Sequence, residues 1–216
     1  MSPNCLVWGS RNPAKGAEVA RIMAPLLPGL LLVPAEASPP EEDRQTYAGN
    51  ALLKARAASS GSRPALADDS GLEASALGGA PGVRSARYGP DDRARNLRLL
   101  GELRGAGDRS ARFVAAVALV LPDGGRFVVE SRCPGVLEEA PRGEGGFGYD
   151  PLFRPRGETR VFAEMREDEK NRLSHRGQAL SGMAQILRLV LEYPLGIPGS
   201  NGGGAEVSHA HGGCPV

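Results

Sequence analysis

The 216-residue sequence predicts an α/β fold with a mixed central sheet and flanking helices. Three observations carry that expectation. Short apolar runs alternate with helix-periodic segments through the first part of the chain. Later, Asp123-Gly124 separates two apolar runs, the signature of an antiparallel hairpin. Finally, 41% hydrophobic content at this length fills the core of one domain, or of two lobes sharing a cleft.

The elements follow in order. Cys5 to Trp8 reads as a first strand ending at Gly9-Ser10. After Asn12-Pro13, residues Ala14 to Leu27 place Val19, Ile22, Met23 and Leu26 at helical spacing, and Pro13 suits the first helical turn. Leu30 to Val33 is a second strand, and Pro34 to Asp43 a loop rich in Pro and Glu. Thr46 to Ser59 is helical. Ala65 to Ala67 is a brief strand running into Asp68-Asp69-Ser70-Gly71. Asp92 to Leu103 is an amphipathic helix, with Leu97, Leu100 and Leu103 expected on one face. Phe113 to Leu121 and Arg126 to Glu130 are the hairpin strands. Ser174 caps a last helix, Gln178 to Tyr193, striped by Leu180, Met183, Ile186, Leu187 and Val190. Residues 1–193 therefore form the folded domain. Residues 194–216, with seven Gly and three Pro, are expected to be a disordered tail, although His209, His211 and Cys214 there offer a metal some purchase.

Charge narrows the function. A net charge of +1 removes the electrostatic case for a nucleic-acid or membrane binder. Three scattered cysteines argue against a disulfide scaffold, the N-terminus lacks a signal-peptide plan, and the longest apolar run, Phe113 to Leu121, cannot span a bilayer. A soluble cytoplasmic protein is expected. With three His and only three Lys among 26 basic residues, a His-rich metal centre lacks material. The chemistry must run on carboxylates, a few cations, hydroxyls and backbone.

Five segments carry chemistry. Ser10 to Lys15 lies between a strand and a helix start, where unpaired N–H groups and the helix dipole favour anions; a plain helix cap with a solvated lysine is the competing explanation. Asn50 and Lys54 share a helical face. Adjacent Asp68 and Asp69 repel each other and call for a nearby cation, oxygen ligands favouring Mg²⁺; Glu41, Glu42 and Asp43 offer a further carboxylate, and an acidic turn is the plainer alternative. Gly143 to Pro151 contains G-x-G-x-x-G by accident, because Asp150-Pro151 blocks the helix that a dinucleotide fold needs. It is better read as a loop whose glycines admit a flat ligand beside Phe147. Lys170, His175 and Arg176 gather donors near a helix start.

In this order the segments resemble one family. Ser10-x-Asn12-x-x-Lys15-x-x-Glu18, Thr46-Tyr47-x-x-Asn50-Ala-x-x-Lys54-Ala55, Ala67-Asp-Asp-Ser-Gly-Leu72, Gly79-Ala-Pro-Gly82 with Ser85-Ala-Arg-Tyr88, Gly146-Phe-Gly-Tyr-Asp-Pro151, and Phe162-Ala-Glu164 through Lys170 to Gly177 are similar to the motifs of the inosine triphosphate pyrophosphatases. The resemblance covers roughly residues 5 to 190. It implies Mg²⁺-dependent hydrolysis of ITP, dITP and XTP to monophosphate and pyrophosphate, which clears these nucleotides before their incorporation into DNA or RNA. It further implies a homodimer and a long mixed sheet with two lobes around a cleft. By motif matching, Ser10, Arg11, Asn12, Pro13, Ala14 and Lys15 bind phosphates, with Lys54 on the same oxygens. Glu41 or Glu42 holds Mg²⁺ with Asp69, which is also the general base. Ser70 touches substrate; Phe147, Gly148, Tyr149 and Asp150 form the base pocket, completed by Lys170, His175 and Arg176. Ala14 replaces the family's usual Gly, a change that costs geometry wherever φ is positive. Gly49 stands where an acid is common. Two other readings share these residues: a pyrophosphatase for other modified nucleotides, and a non-catalytic nucleotide sensor.

Overall fold

Four consecutive apolar residues, Cys5–Trp8, form β1, and all four are buried between layers on both sides. In the computed structural model, which describes residues 5–38, 40–59 and 62–192, β1 is followed by α1 (Pro13–Leu26) and β2 (Leu31–Pro34). Pro13 opens α1, and the Asn12 side chain accepts a hydrogen bond from the Lys15 amide, satisfying an otherwise orphaned N–H. α2 (Tyr47–Ala58) is capped in the same way by the Thr46 hydroxyl.

β3 (Ala65–Ala74) is much longer than the apolar run that predicts it. Asp68-Asp69-Ser70-Gly71 does not leave the strand as an acidic turn; it continues the strand. The reason is β4 (Ser110–Val120), which pairs antiparallel with every residue of β3 and supplies ladder partners that outweigh local turn propensity. β5 (Arg126–Leu137) completes the expected hairpin, and a short β6 (Phe153–Pro155) follows. The six strands run β2-β1-β3-β4-β5-β6, parallel among the first three and antiparallel thereafter. The mixed sheet is therefore as predicted.

α3 (Asp92–Glu102) corrects the predicted stripe. Leu99 is buried and Leu97 is 57% exposed, so the inward face runs through Asn96 and Leu99 to Leu103 just beyond the helix. The last helix also begins earlier. α5 (His175–Glu192) starts directly after Ser174, whose hydroxyl accepts from the Gly177 amide, and a separate α4 (Glu167–Leu173) precedes it. The expected tail, 194–216, lies outside the described residues. No helix among the described residues is long and apolar enough to cross a membrane.

Alternation along β3 and β4 assigns the layers. Leu66, Val117 and Leu119 face α1 and α5, packing with Val19, Met23, Leu180 and Met183. Ala67, Ala116 and Ala118 face α2, whose Ala51 and Ala55 permit close approach. A second apolar cluster, built on Leu72, Phe113, Phe153 and Phe162, occupies the far end of the same long strands. Between these masses β1 stops: it pairs with β3 only through Ala65 and Leu66. The edge of β3 from Asp68 to Gly71 is thus left without a strand on that side, and a cleft opens against it.

Candidate active site

The cleft has a volume of about 280 Å³ and is bordered by Asn12, Ala14 and Lys15 at the start of α1, by Glu42, and by Asp69 to Gly71 on β3. Phe147 to Asp150, Lys170, His175 and Arg176 form its other wall. Segments from both ends of the domain therefore meet at the free edge of one strand, beyond the carboxyl end of β1, where α/β sheets commonly bind ligands.

Strand alternation separates the paired acids. Asp68 faces α1 and α5, accepting from Arg176 Nε at 3.0 Å and pairing with Lys15 Nζ at 3.3 Å. Burial alone would raise its pKa, but Lys15 and Arg176 outweigh burial and hold the carboxyl well below the usual range. Asp69 faces α2, accepting from Asn50 Nδ2 at 3.0 Å and Lys54 Nζ at 3.3 Å. Burial raises the Asp69 carboxyl against the pull of Lys54, and the charge of Glu42 adds to the rise. Thus one neighbour is locked as a structural anion, while the other sits at the cleft with a more basic carboxyl.

Glu42, and not Glu41, approaches this centre: Lys54 Nζ lies 2.6 Å from Glu42 Oε1, whereas Glu41 is exposed and does not border the cleft. Arg87 fixes Glu42 by donating to its backbone oxygen at 3.1 Å and to Oε2 at 3.4 Å. Glu42 and Asp69 offer hard oxygen donors around a cation position held here by the Lys54 ammonium. Among the described residues no group of three or more Asp, Glu, His or Cys side chains forms a complete metal cage.

At the other wall, Lys170 Nζ bonds Asp150 Oδ2 at 2.6 Å and lies 3.5 Å from Glu18 Oε1, while Phe147 N–H donates to the same Asp150 oxygen at 2.9 Å. Phe147 presents its ring to Lys170 Nζ, 4.9 Å from the centroid, as a cation–π contact. His175 stacks on Phe113 with centroids 4.6 Å apart and planes 7° apart, and its Nδ1 has no protein partner. Burial, reinforced by Arg176 and Lys170, pushes the His175 pKa well below its ordinary value, so the ring is neutral at pH 7.

Other sequence-derived residues fall in different places. Ser10 and Arg11 border a neighbouring cavity of about 420 Å³ that also contains Lys54, rather than the main cleft. Pro13 is the first residue of α1, and Ala14 the second, so Ala14 adopts helical backbone and needs no positive φ. Gly49 lies in α2 against Thr46 and Arg44. Ser70 borders the cleft and accepts from Arg176 at 2.8 Å. Tyr149 turns its hydroxyl away to the Ser85 backbone oxygen at 3.0 Å, anchoring the loop. Arg176 commits nitrogens to Asp68, Glu18 and Ser70, so it builds the wall as well as lining it.

Four contributors are not singled out by the sequence. Glu18 bridges Lys170 and Arg176; only its place in a motif points to it. Arg87 likewise is reached only through its place in the motif Ser85 to Tyr88. Asp92 and Asn96 face the Gly148 peptide from α3, and their i, i+4 spacing is the signal that could have found them.

Comparison with known proteins gives the family. The Ham1 family model matches residues 6–186. A dITP/XTP pyrophosphatase of Deinococcus deserti is 50% identical over 184 residues, covering 82% of this chain and 86% of its own. One from Thermus thermophilus is 49% identical over 189 residues, covering 85% and 91%. The solved structure of a HAM1 protein from Coxiella burnetii superposes with a TM-score of 0.77 at 36% identity, over 85% of this chain and 98% of that one. With its motifs gathered at one strand edge and its fold matched along nearly the whole domain, the chain belongs to the Ham1 family.

Proposed function

We propose that this protein hydrolyses ITP, dITP and XTP to the nucleoside monophosphate and pyrophosphate, and so clears them from the nucleotide pool. The observation that supports this most is one cleft whose two ends differ in chemistry: the α1 N-terminus with Lys15, Glu42 and Asp69 at one, Phe147, His175 and Arg176 at the other. A nucleoside triphosphate has matching halves. The relatives at 49% and 50% identity are named dITP/XTP pyrophosphatases, which supports the same reading.

At the phosphate end, the α1 N-terminus with Asn12 and Lys15 receives phosphate oxygens, and Lys54 adds a second compact charge. Glu42 and Asp69 would hold Mg²⁺, which typically takes one or two carboxylates and completes its shell with water and substrate phosphates. The pair fits that habit, since both are hard oxygen donors bordering the same end of the cleft. When bound, the ion would neutralise charge on the phosphate oxygens. Asp69, its orientation fixed by Asn50, takes the proton from the attacking water. Asp68 remains the counter-ion that holds Lys15 and Arg176 in place.

At the base end Phe147 offers a stacking face. Neutral His175 and the N–H groups that Arg176 retains present donors to a 6-oxo purine; adenine, which offers a donor there, is left poorly paired. Guanine shares the 6-oxo group, so its rejection rests on the 2-amino position. We further propose a homodimer working in the cytoplasm. The test is a panel of ITP, dITP, XTP, GTP and ATP with Mg²⁺ and purified protein. Preference for the first three is expected; equal rates on ATP would overturn the assignment, and tight ITP binding without turnover would make the protein a sensor.

A further inference from the structure

Within the base-side loop, Gly148 has both its backbone groups taken by one helix. Its N–H donates to Asp92 Oδ2 at 2.6 Å, and its carbonyl accepts from Asn96 Nδ2 at 2.9 Å. Asp92 and Asn96 are one turn apart on α3, so a rigid element grips the residue between the two aromatic members of the loop, Phe147 and Tyr149. The grip is itself braced. Arg95 bonds the other oxygen of Asp92 and donates to the Ala86 carbonyl at 2.6 Å, tying α3 to the segment Gly82–Arg87 that also receives the Tyr149 hydroxyl. Asn96 is only 6% exposed, and its oxygen has no protein partner, so its amide serves the Gly148 carbonyl.

We propose that Asp92 and Asn96 are positioning residues that set base selectivity by holding the Gly148 peptide, and through it the Phe147 ring, in a binding-ready arrangement. The proposal rests on the pyrophosphatase reading for its substrate and on geometry for its mechanism. A loop with glycines at 145, 146 and 148 is intrinsically mobile, and ordering it on binding would weaken affinity for the base. Fixing one peptide at both ends removes most of that ordering. The clamp's hydrogen bonds run to Gly148, Ala86 and Arg95, and none joins the lysines and carboxylates of the phosphate end among the described residues. Loss of the clamp should therefore act on recognition and not on bond cleavage.

The experiment compares wild type with Asn96→Ala, Asp92→Ala and Asp92→Asn, measuring KM and kcat for ITP and GTP together with amide hydrogen exchange across residues 146–150. Losing one such hydrogen bond should raise KM for ITP about tenfold. The value of kcat should stay within about twofold, and the ITP-to-GTP preference should fall. Exchange at Phe147 and Gly148 should quicken. Asp92→Asn keeps an acceptor oxygen and should fall between wild type and Asp92→Ala. Asp92 is partly exposed, so its variants should fold even if Asn96→Ala does not. Unchanged loop exchange, or a fall in kcat at constant KM, would overturn the proposal. If wild type fails to hydrolyse ITP the substrate assignment falls, while loop exchange still decides the clamp.

Discussion

Asp68 and Asp69 are adjacent in sequence but serve opposite faces of β3: Asp68 meets Lys15 and Arg176, and Asp69 meets Asn50 and Lys54. Their substitutions should therefore separate folding from turnover. Asp68→Asn leaves two buried cations undercompensated and should destabilise by about 3 kcal/mol in a denaturant melt. Asp69→Asn keeps an acceptor oxygen for its neighbours, should melt near wild type and should lose nearly all turnover. Substantial residual activity in Asp69→Asn would exclude it as the base.

The three lysines form a second test. Lys15, Lys54 and Lys170 have side chains 16%, 6% and 8% exposed, and each pairs with a carboxylate of the cleft region. A guanidinium is broader and planar, so Lys15→Arg, Lys54→Arg and Lys170→Arg should each lower kcat/KM by at least about tenfold despite unchanged charge. Arg126→Lys, on an exposed part of β5, is the control and should leave the rate unaffected. Intact activity in all three lysine variants would reduce lysine scarcity to composition.

His175 predicts a pH effect on stability. Its folded pKa is depressed by burial, so below about pH 6.5 the unfolded chain binds a proton that the folded chain refuses. Stability is therefore lost as pH falls through the unfolded value, at up to about 1.4 kcal/mol per pH unit until the folded pKa is reached. His175→Phe retains a ring against Phe113 and should lose this component. Parallel stability–pH curves for the two proteins between about pH 7 and 5 would contradict it.

Two loop glycines should behave differently although both have positive φ. A Cβ at Gly146 would collide with the Asp150 carboxylate, whereas one at Gly148 meets nothing within 4 Å. Gly148→Ala should cost only about 1 kcal/mol of backbone strain. Gly146→Ala should displace Asp150 from Lys170 and the Phe147 amide, lowering activity far more. The two kcat/KM values, measured side by side, check this.

The sheet class and the cleft motifs are legible in the sequence because they rest on local signals: periodicity, the Asp123-Gly124 turn and the motif order. What is not legible depends on partners distant in sequence. The length of β3 comes from pairing with β4, and the true inward face of α3 follows Asn96 and Leu99 because polar Asn96 is needed at Gly148. The segregation of Asp68 from Asp69 is implicit in strand alternation, but only once those residues are known to lie in a strand. Choosing between Glu41 and Glu42 needs the position of Lys54.

The most direct test is the product ratio from ITP with Mg²⁺, resolved chromatographically as the reaction proceeds. Attack between the α- and β-phosphates predicts IMP and pyrophosphate in equal amounts from the first time point, with no IDP. Release of orthophosphate together with IDP would contradict the account.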